Sequence, residues 1–158
     1  MGAGATATQA DIANARQLGK AIAENGWILL TGGRKSGVMD AASKGAKDAD
    51  GLTIGILPNN NTQGISDAVD IAIVTDLGNA RNNINVLSSD IIIACGMGAG
   101  TASEVALAIK NNKQIILLSD NQESKQFFKN LSPENIFIAI SSRNAIALVQ
   151  QILYNRNK

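Results

Sequence analysis

The ten residues Cys95-Gly96-Met97-Gly98-Ala99-Gly100-Thr101-Ala102-Ser103-Glu104 hold the densest chemistry of the chain: glycines, then a hydroxyl, then a carboxylate. Glycine lets a backbone take positive φ and approach a ligand closely. Asp90-Ile91-Ile92-Ile93-Ala94, just before, is a short β-branched apolar run that reads as a buried parallel strand. Val105, Ala106 and Ile109, just after, recur at helical spacing. The glycines therefore sit where a strand turns into a helix. The free amides of the helix start and the positive end of its dipole make an anion site there, and phosphate is the usual anion. Gly98, Gly100 and Thr101 are the expected contacts, Thr101 either capping the helix or bonding a phosphate oxygen. Glu104 is expected in the first helical turn, beside the same crevice.

Two other stretches repeat this logic. In Thr31-Gly32-Gly33-Arg34-Lys35-Ser36-Gly37 a strand ends, glycines turn and a helix begins near Ser36 or Gly37. Gly32 and Gly33 supply the turn, and Arg34 and Lys35 can hold a phosphate from the side. Gly2-Ala3-Gly4-Ala5-Thr6 looks like the loop that normally follows a first strand, with Gly4 as its ligand contact, although the strand itself is absent from the sequence. The same residues fit an N-myristoylation pattern, but a phosphate loop explains them better. Gly78-Asn79-Ala80 opens a further helix that carries Arg81 and Asn82, with Ala80, Ile84 and Leu87 expected on its apolar face. Asp76, at a strand end, is a second polar candidate or a helix cap.

Composition excludes much else. The 158 residues contain no histidine, which removes histidine triads, histidine metal ligands and histidine bases. Cys95 is the only cysteine, so no disulfide within the chain and no zinc cluster can form. It directly follows a buried strand and is expected as a small core residue rather than a ligand. A net charge of +1 gives no support for nucleic-acid or membrane-surface binding. No apolar run approaches the ~20 residues of a membrane span, and no secretory signal is visible. These features predict a soluble cytoplasmic protein with no metal-ligand set.

The elements that must position these residues alternate. Strands are expected at 27–31, 51–57, 70–74, 90–94, 114–118 and 136–140. The first helix is striped by Ile12, Ala15, Gly19 and Ile22, the last by Ile146, Val149, Ile152 and Leu153. Asn59-Asn60-Asn61-Thr62-Gln63-Gly64 is a polar loop, and 119–134 is a polar segment containing Phe127 and Phe128. Strands alternating with helices predict a single α/β domain over residues 1–158, a doubly wound, Rossmann-like parallel sheet with its first strand missing. Ligands bind such sheets beyond the carboxyl ends of the strands, at the topological switch. All three glycine turns, Arg81 and Glu104 fall at those ends.

Thr31-Gly32-Gly33, Gly37-Val38-Met39, the Arg81 helix and Gly98-Ala99-Gly100-Thr101 with Glu104 resemble the lysine decarboxylase-like superfamily. That group includes the Lonely Guy phosphoribohydrolases, the molybdenum cofactor carrier proteins and, more distantly, the DNA-processing protein DprA. Thr31-Gly32-Gly33-Arg34 and Leu52-Thr53-Ile54-Gly55-Ile56-Leu57-Pro58 look most like the carrier branch. The resemblance implies a carrier that binds the molybdenum cofactor (molybdopterin) at Gly4, Gly32, Gly33, Arg34, Lys35, Arg81, Asn82, Gly98, Gly100, Thr101 and Glu104. It also implies homo-oligomers and molybdenum enzymes as recipients. The alternative is a nucleoside 5′-monophosphate phosphoribohydrolase that uses Arg81 and Glu104. In its motif, proline-glycine-glycine-any-glycine-threonine-any-any-glutamate, Gly96 and Met97 replace the first two residues here. Ala80 and Asn82 replace the charged neighbours of the family's arginine. These departures favour binding over catalysis.

Overall fold

In a computed structural model describing residues 1–156, the apolar runs become parallel strands and the segments between them become helices. The order is α1 (Gln9–Glu24), β1 (Leu29–Thr31), α2 (Gly37–Lys47), β2 (Thr53–Leu57), β3 (Ile71–Val74), α3 (Arg81–Leu87) after a 3-10 turn at Gly78–Ala80, β4 (Ile91–Cys95), α4 (Ala99–Lys110), β5 (Gln114–Leu118), α5 (Gln122–Leu131), β6 (Ile136–Ile138) and α6 (Ser142–Arg156). Every pairing between these strands is parallel. They form two three-stranded sheets, ordered β1-β2-β3 and β4-β5-β6. Leu29 and Leu30 of β1 face Ile91 and Ile93 of β4 across a cavity of about 410 Å³. The chain therefore winds outward from β1 to β3, returns to the middle at β4, and winds outward again to β6. The switch point lies beside β1 and β4.

Side chains of β5 show the layering, because successive residues of a strand point to opposite faces. Ile116 and Leu118 pack with Leu18, Ala42 and Val149 from α1, α2 and α6. Ile115 and Leu117 pack with Val86, Val105 and Phe128 from α3, α4 and α5. Both faces are covered, as a doubly wound parallel sheet requires, and burial of each such side chain contributes roughly 1.5–3 kcal/mol. Helices α1 and α2 cross at backbone contact. A methyl group on Gly19 would fall 1.9 Å from Ala42 O, and one on Gly45 would fall 2.0 Å from Arg16 O. Helix α1 starts with a capping box: Asp11 N donates to Thr8 Oγ1 (3.1 Å) and Thr8 N donates to Asp11 Oδ2 (3.0 Å).

Several expectations need correction. The first, second and last strands are shorter than the apolar runs, since Ile28, Leu52 and Ile140 are exposed beyond their ends. The polar segment 119–134 contains α5, capped where Ser124 N donates to Asn121 Oδ1. The buried face of α3 is not apolar. Arg81, Asn82, Asn85 and Val86 are buried, whereas Ala80 and Leu87 are exposed. Met1 runs along the end of β4: its α-ammonium donates to Ile93 O (2.7 Å), Cys95 N donates to Met1 O (2.9 Å), and Gly2 bridges Cys95 in parallel. Among the described residues, no helix is long and apolar enough to cross a membrane.

Candidate functional site

Three loops meet at the switch point, beyond the carboxyl ends of β1 and β4. The loop from β1 runs through Gly32 to Ser36 into α2, and the loop from β4 runs through Gly96 to Gly98 into α4. The segment 3–7 lies between them. Val38 N donates to Ala3 O (3.0 Å) and Ala7 N donates to Gly4 O (3.1 Å). A methyl group on Gly4 would stand 3.4 Å from Ser36 Oγ and 3.9 Å from Arg34 Nη2. One on Gly98 would stand 3.8 Å from Thr6 Oγ1. One on Gly37 would collide with Gly4 O at 2.1 Å, so that glycine lets two of the loops touch.

Two helix N-termini at this meeting point lack a side-chain cap. Ser36, the N-cap of α2, makes no capping bond, and the N-cap of α4 is Gly98, which has no side chain to cap with. The start of α1, by contrast, is closed by its own capping box. The first amides of α4, from Ala99 to Thr101, have no carbonyl partner inside the helix. Gly100 faces open space, with nothing within 4 Å of where a side chain would stand. Thr101 is only 2% exposed, yet its buried Oγ1 has no partner among the described residues. An unpaired buried hydroxyl costs roughly 1–3 kcal/mol, which an anion accepting its hydrogen would recover.

The remaining expected residues divide sharply. Gly32 and Gly33 shape the turn but are closed off. Gly33 has φ +71° and packs on Leu57, and its amide donates to Thr31 Oγ1 (3.0 Å). Gly32 covers the guanidinium of Arg81, which is 6% exposed. Arg81 Nη1 donates to Gly32 O (2.7 Å) and to Ile56 O, tying the end of β1 to the end of β2. Burial pulls Arg81 below arginine's usual pKa range; Glu104 opposes that shift and Arg34 adds to it. Lys35 is paired with Asp67 at 2.5 Å, and that hydrogen bond and charge raise its pKa. Arg34 is exposed and has no acidic partner among the described residues, which makes it the open cation of the crevice.

Glu104 lies in the second turn of α4, one turn deeper than expected, and is 8% exposed. Its Oε1 accepts a hydrogen bond from Asn85 Nδ2 (3.0 Å). Asn82 reaches toward Ser103 Oγ at 3.5 Å. Thr6, Ser36 and Asn85 stand beside Gly98, Gly4 and Glu104 respectively, and they escape a reading by motif. Thr6 and Ser36 become candidates only once the glycine loops are seen to touch. Asn85 is signalled by its spacing, one helical turn after Arg81. Among the described residues no group of three or more acidic or cysteine side chains forms a metal site. Cys95 lies in the core, and burial pushes its thiol up to about 11.

The chain is similar to proteins of known structure. It is 63% identical to the molybdenum cofactor binding protein of the phototrophic bacterium Rippkaea orientalis, with a TM-score of 0.96 over 97% of this chain and 94% of that one. It is 52% identical to the Moco carrier protein of Chlamydomonas reinhardtii, with a TM-score of 0.92 over 98% and 95% of the two chains. A cytokinin riboside 5′-monophosphate phosphoribohydrolase of Rhodococcoides fascians is more distant, 26% identical over 87% of this chain and 75% of its own length. A family model matches residues 1–147, and the chain belongs to the SLOG cluster4 family.

Proposed function

We propose that this chain binds the molybdenum cofactor and carries it, with the cofactor as cargo rather than as a catalytic group. The ligand is extended, with a phosphate at one end and molybdenum oxo groups at the other. The crevice offers two anion sites to match. One is the start of α4, with the amides after Gly98, the open side of Gly100 and the unpaired Thr101 hydroxyl. The other is the start of α2, with Ser36, Gly4 and Arg34. The observation that carries this reading is the start of α4, which has no side-chain cap and holds the unpaired Thr101 hydroxyl, taken with near-full-length similarity to cofactor-binding proteins. Delivery to molybdenum enzymes, self-association and a cytoplasmic location go with the same reading. The exposed Ile71 and Ile73 on one face of the edge strand β3 supply apolar surface for self-association.

Phosphoribohydrolase chemistry fits the same residues less well. Arg81 already spends Nη1 on two backbone carbonyls, and Glu104 is held by Asn85. The test is to load the purified protein with free cofactor, remove the excess by gel filtration and oxidise what is retained to its fluorescent pterin. We expect retention, a roughly tenfold loss of affinity in Thr101→Val and in Arg34→Ala, worth about 1.4 kcal/mol, and no adenine released from adenosine monophosphate. No retention, together with adenine release that disappears in Glu104→Gln, would overturn the carrier reading.

A further inference from the structure

Successive strands are connected through helices with one exception: the segment 58–70, which joins β2 to β3, has no helix among the described residues. Its backbone groups need other partners, and several of them find these in the β1–α2 loop. Ser66 N donates to Gly33 O (2.9 Å), Lys35 N donates to Gly64 O (2.8 Å), and Arg34 stands opposite Ile65 in an antiparallel bridge. Ser66 also reaches inward. It is 2% exposed, and its Oγ donates to Asp40 Oδ1 (2.6 Å) in the first turn of α2. Lys44 Nζ donates to Asp40 Oδ2 (2.8 Å) from one turn further on. Burial pulls the Asp40 carboxyl up, but the bonds from Lys44 and Ser66 hold it below its usual range. Ser66 therefore bonds to a charged acceptor, the stronger kind of hydrogen bond.

We infer that Ser66 is a positioning residue for Arg34: it presets residues 33–35, so that the open cation of the crevice meets an anionic ligand without first ordering its loop. The direction of the side chains supports this. Successive residues of an extended segment point to opposite sides, and residues opposed across an antiparallel pair share a side. Ser66 points inward to α2, so Ile65 and its opposite number Arg34 point outward, to the crevice. Arg34 Nη2 accordingly lies 3.9 Å from where a methyl group on Gly4 would stand. Ser66 is a hub of three segments. Its amide holds the carbonyl just before Arg34, its hydroxyl holds α2, and the same oxygen accepts from Ala68 N (3.3 Å). Lys35 and Asp67 close the exposed rim of this pairing, which makes Lys35 a strut of the loop rather than a ligand contact. A loop held in its binding conformation before the ligand arrives loses less freedom on binding, and that saving appears as affinity. The inference rests on the carrier reading for the ligand that Arg34 meets, and on the hydrogen-bond network alone for the ordering of the loop.

The experiment compares the full chain with Ser66→Ala, Arg34→Ala and the double variant. Asp40→Ala removes the same bond from its other end. Affinity for free molybdenum cofactor is read by retention and pterin fluorescence, and hydrogen exchange is read without ligand at the amides of Lys35 and Ile116. Ser66→Ala and Asp40→Ala should each weaken binding roughly 5–10-fold and speed exchange at Lys35 at least ~10-fold, with exchange at Ile116 in β5 unchanged. In the Arg34→Ala background, Ser66→Ala should weaken binding less than ~2-fold, because the group it positions is gone, whereas Thr101→Val should keep its full effect in the Ser66→Ala background. Equal losses from Ser66→Ala with and without Arg34 would overturn the inference, since they would mark a general structural effect. So would unchanged exchange at Lys35, or faster exchange there with unchanged affinity. A parent chain that retains no cofactor would overturn the carrier reading instead, and exchange at Lys35 would still decide whether Ser66 orders the loop.

Discussion

Gly32→Ala isolates one clash. Gly32 does not have positive φ, so its backbone accepts alanine without strain. The added methyl, however, would lie 2.3 Å from Arg81 Nη1, 2.7 Å from Nη2 and 2.8 Å from Met39 Sδ. The guanidinium cannot move aside cheaply, because Nη1 holds the carbonyls of Gly32 and Ile56 and the side chain is buried. Losing one hydrogen bond to a charged group costs about 1.5–3 kcal/mol, and overpacking costs about 1–3 kcal/mol. A total near ~3 kcal/mol is therefore expected. For a chain of this length that lowers the melting temperature by about 6–12 °C. Urea unfolding with a double-mutant cycle checks the cause. In an Arg81→Ala background the same glycine substitution should cost less than ~1 kcal/mol, because the guanidinium is gone and the remaining contact, Met39 Sδ, lies on a flexible side chain that can move into the space it leaves. An equal cost in both backgrounds would refute the account, as would a neutral Gly32→Ala in the parent chain.

Three further outcomes are expected. Gly19→Ala and Gly45→Ala should each destabilise by roughly 2–4 kcal/mol in urea unfolding, since each methyl meets a backbone carbonyl of the opposing helix and the two helices must separate. Asp70 is held below its usual pKa by Lys47 and by the amide and hydroxyl of Thr53. A lowered folded-state pKa stabilises above the unfolded value and is lost as pH falls through the folded one. Asp70→Asn should therefore lower the melting temperature at pH 7 and make little difference near about pH 2. Cys95, pushed up to about 11 by burial, should react with a thiol reagent at pH 8 at least ~100-fold faster in urea than in the native state, read by absorbance of the released thiolate.

The alternation of strands and helices was legible because the sheet is covered on both faces. Its inner strands carry continuous apolar runs, Ile91 to Cys95 in β4 and Ile115 to Leu118 in β5. Strand ends were less legible, because hydropathy does not say where pairing stops. Ile140 is 88% exposed although it continues the run of β6. Helix α5 escaped notice because it buries only Phe128 fully, too thin a stripe to carry a period. The open glycines of the β4 loop could be placed from spacing. Sequence could not show that Gly32 and Gly33 are closed off, because their neighbours Arg81 and Leu57 come from distant segments.

Helix α3 shows why the site resisted a reading by periodicity. A stripe through Ala80, Ile84 and Leu87 has the right spacing for a core face, yet Leu87 is 52% exposed and the opposite side is buried. That buried side carries Arg81 and Asn85, which satisfy the carbonyls ending β1 and β2 and the carboxylate of Glu104. Strand ends at a switch point leave backbone carbonyls that no helix of the sheet can pair, and apolar side chains there would leave them unsatisfied. A polar helix face is thus the stable packing at this one place. The same arginine that looks like a ligand contact in the motif is required to hold the strand ends where the ligand loops begin. Stability and binding should therefore separate by position: substitutions at Gly32 and Arg81 move unfolding first, while those at Arg34 and Thr101 move affinity with little change in unfolding.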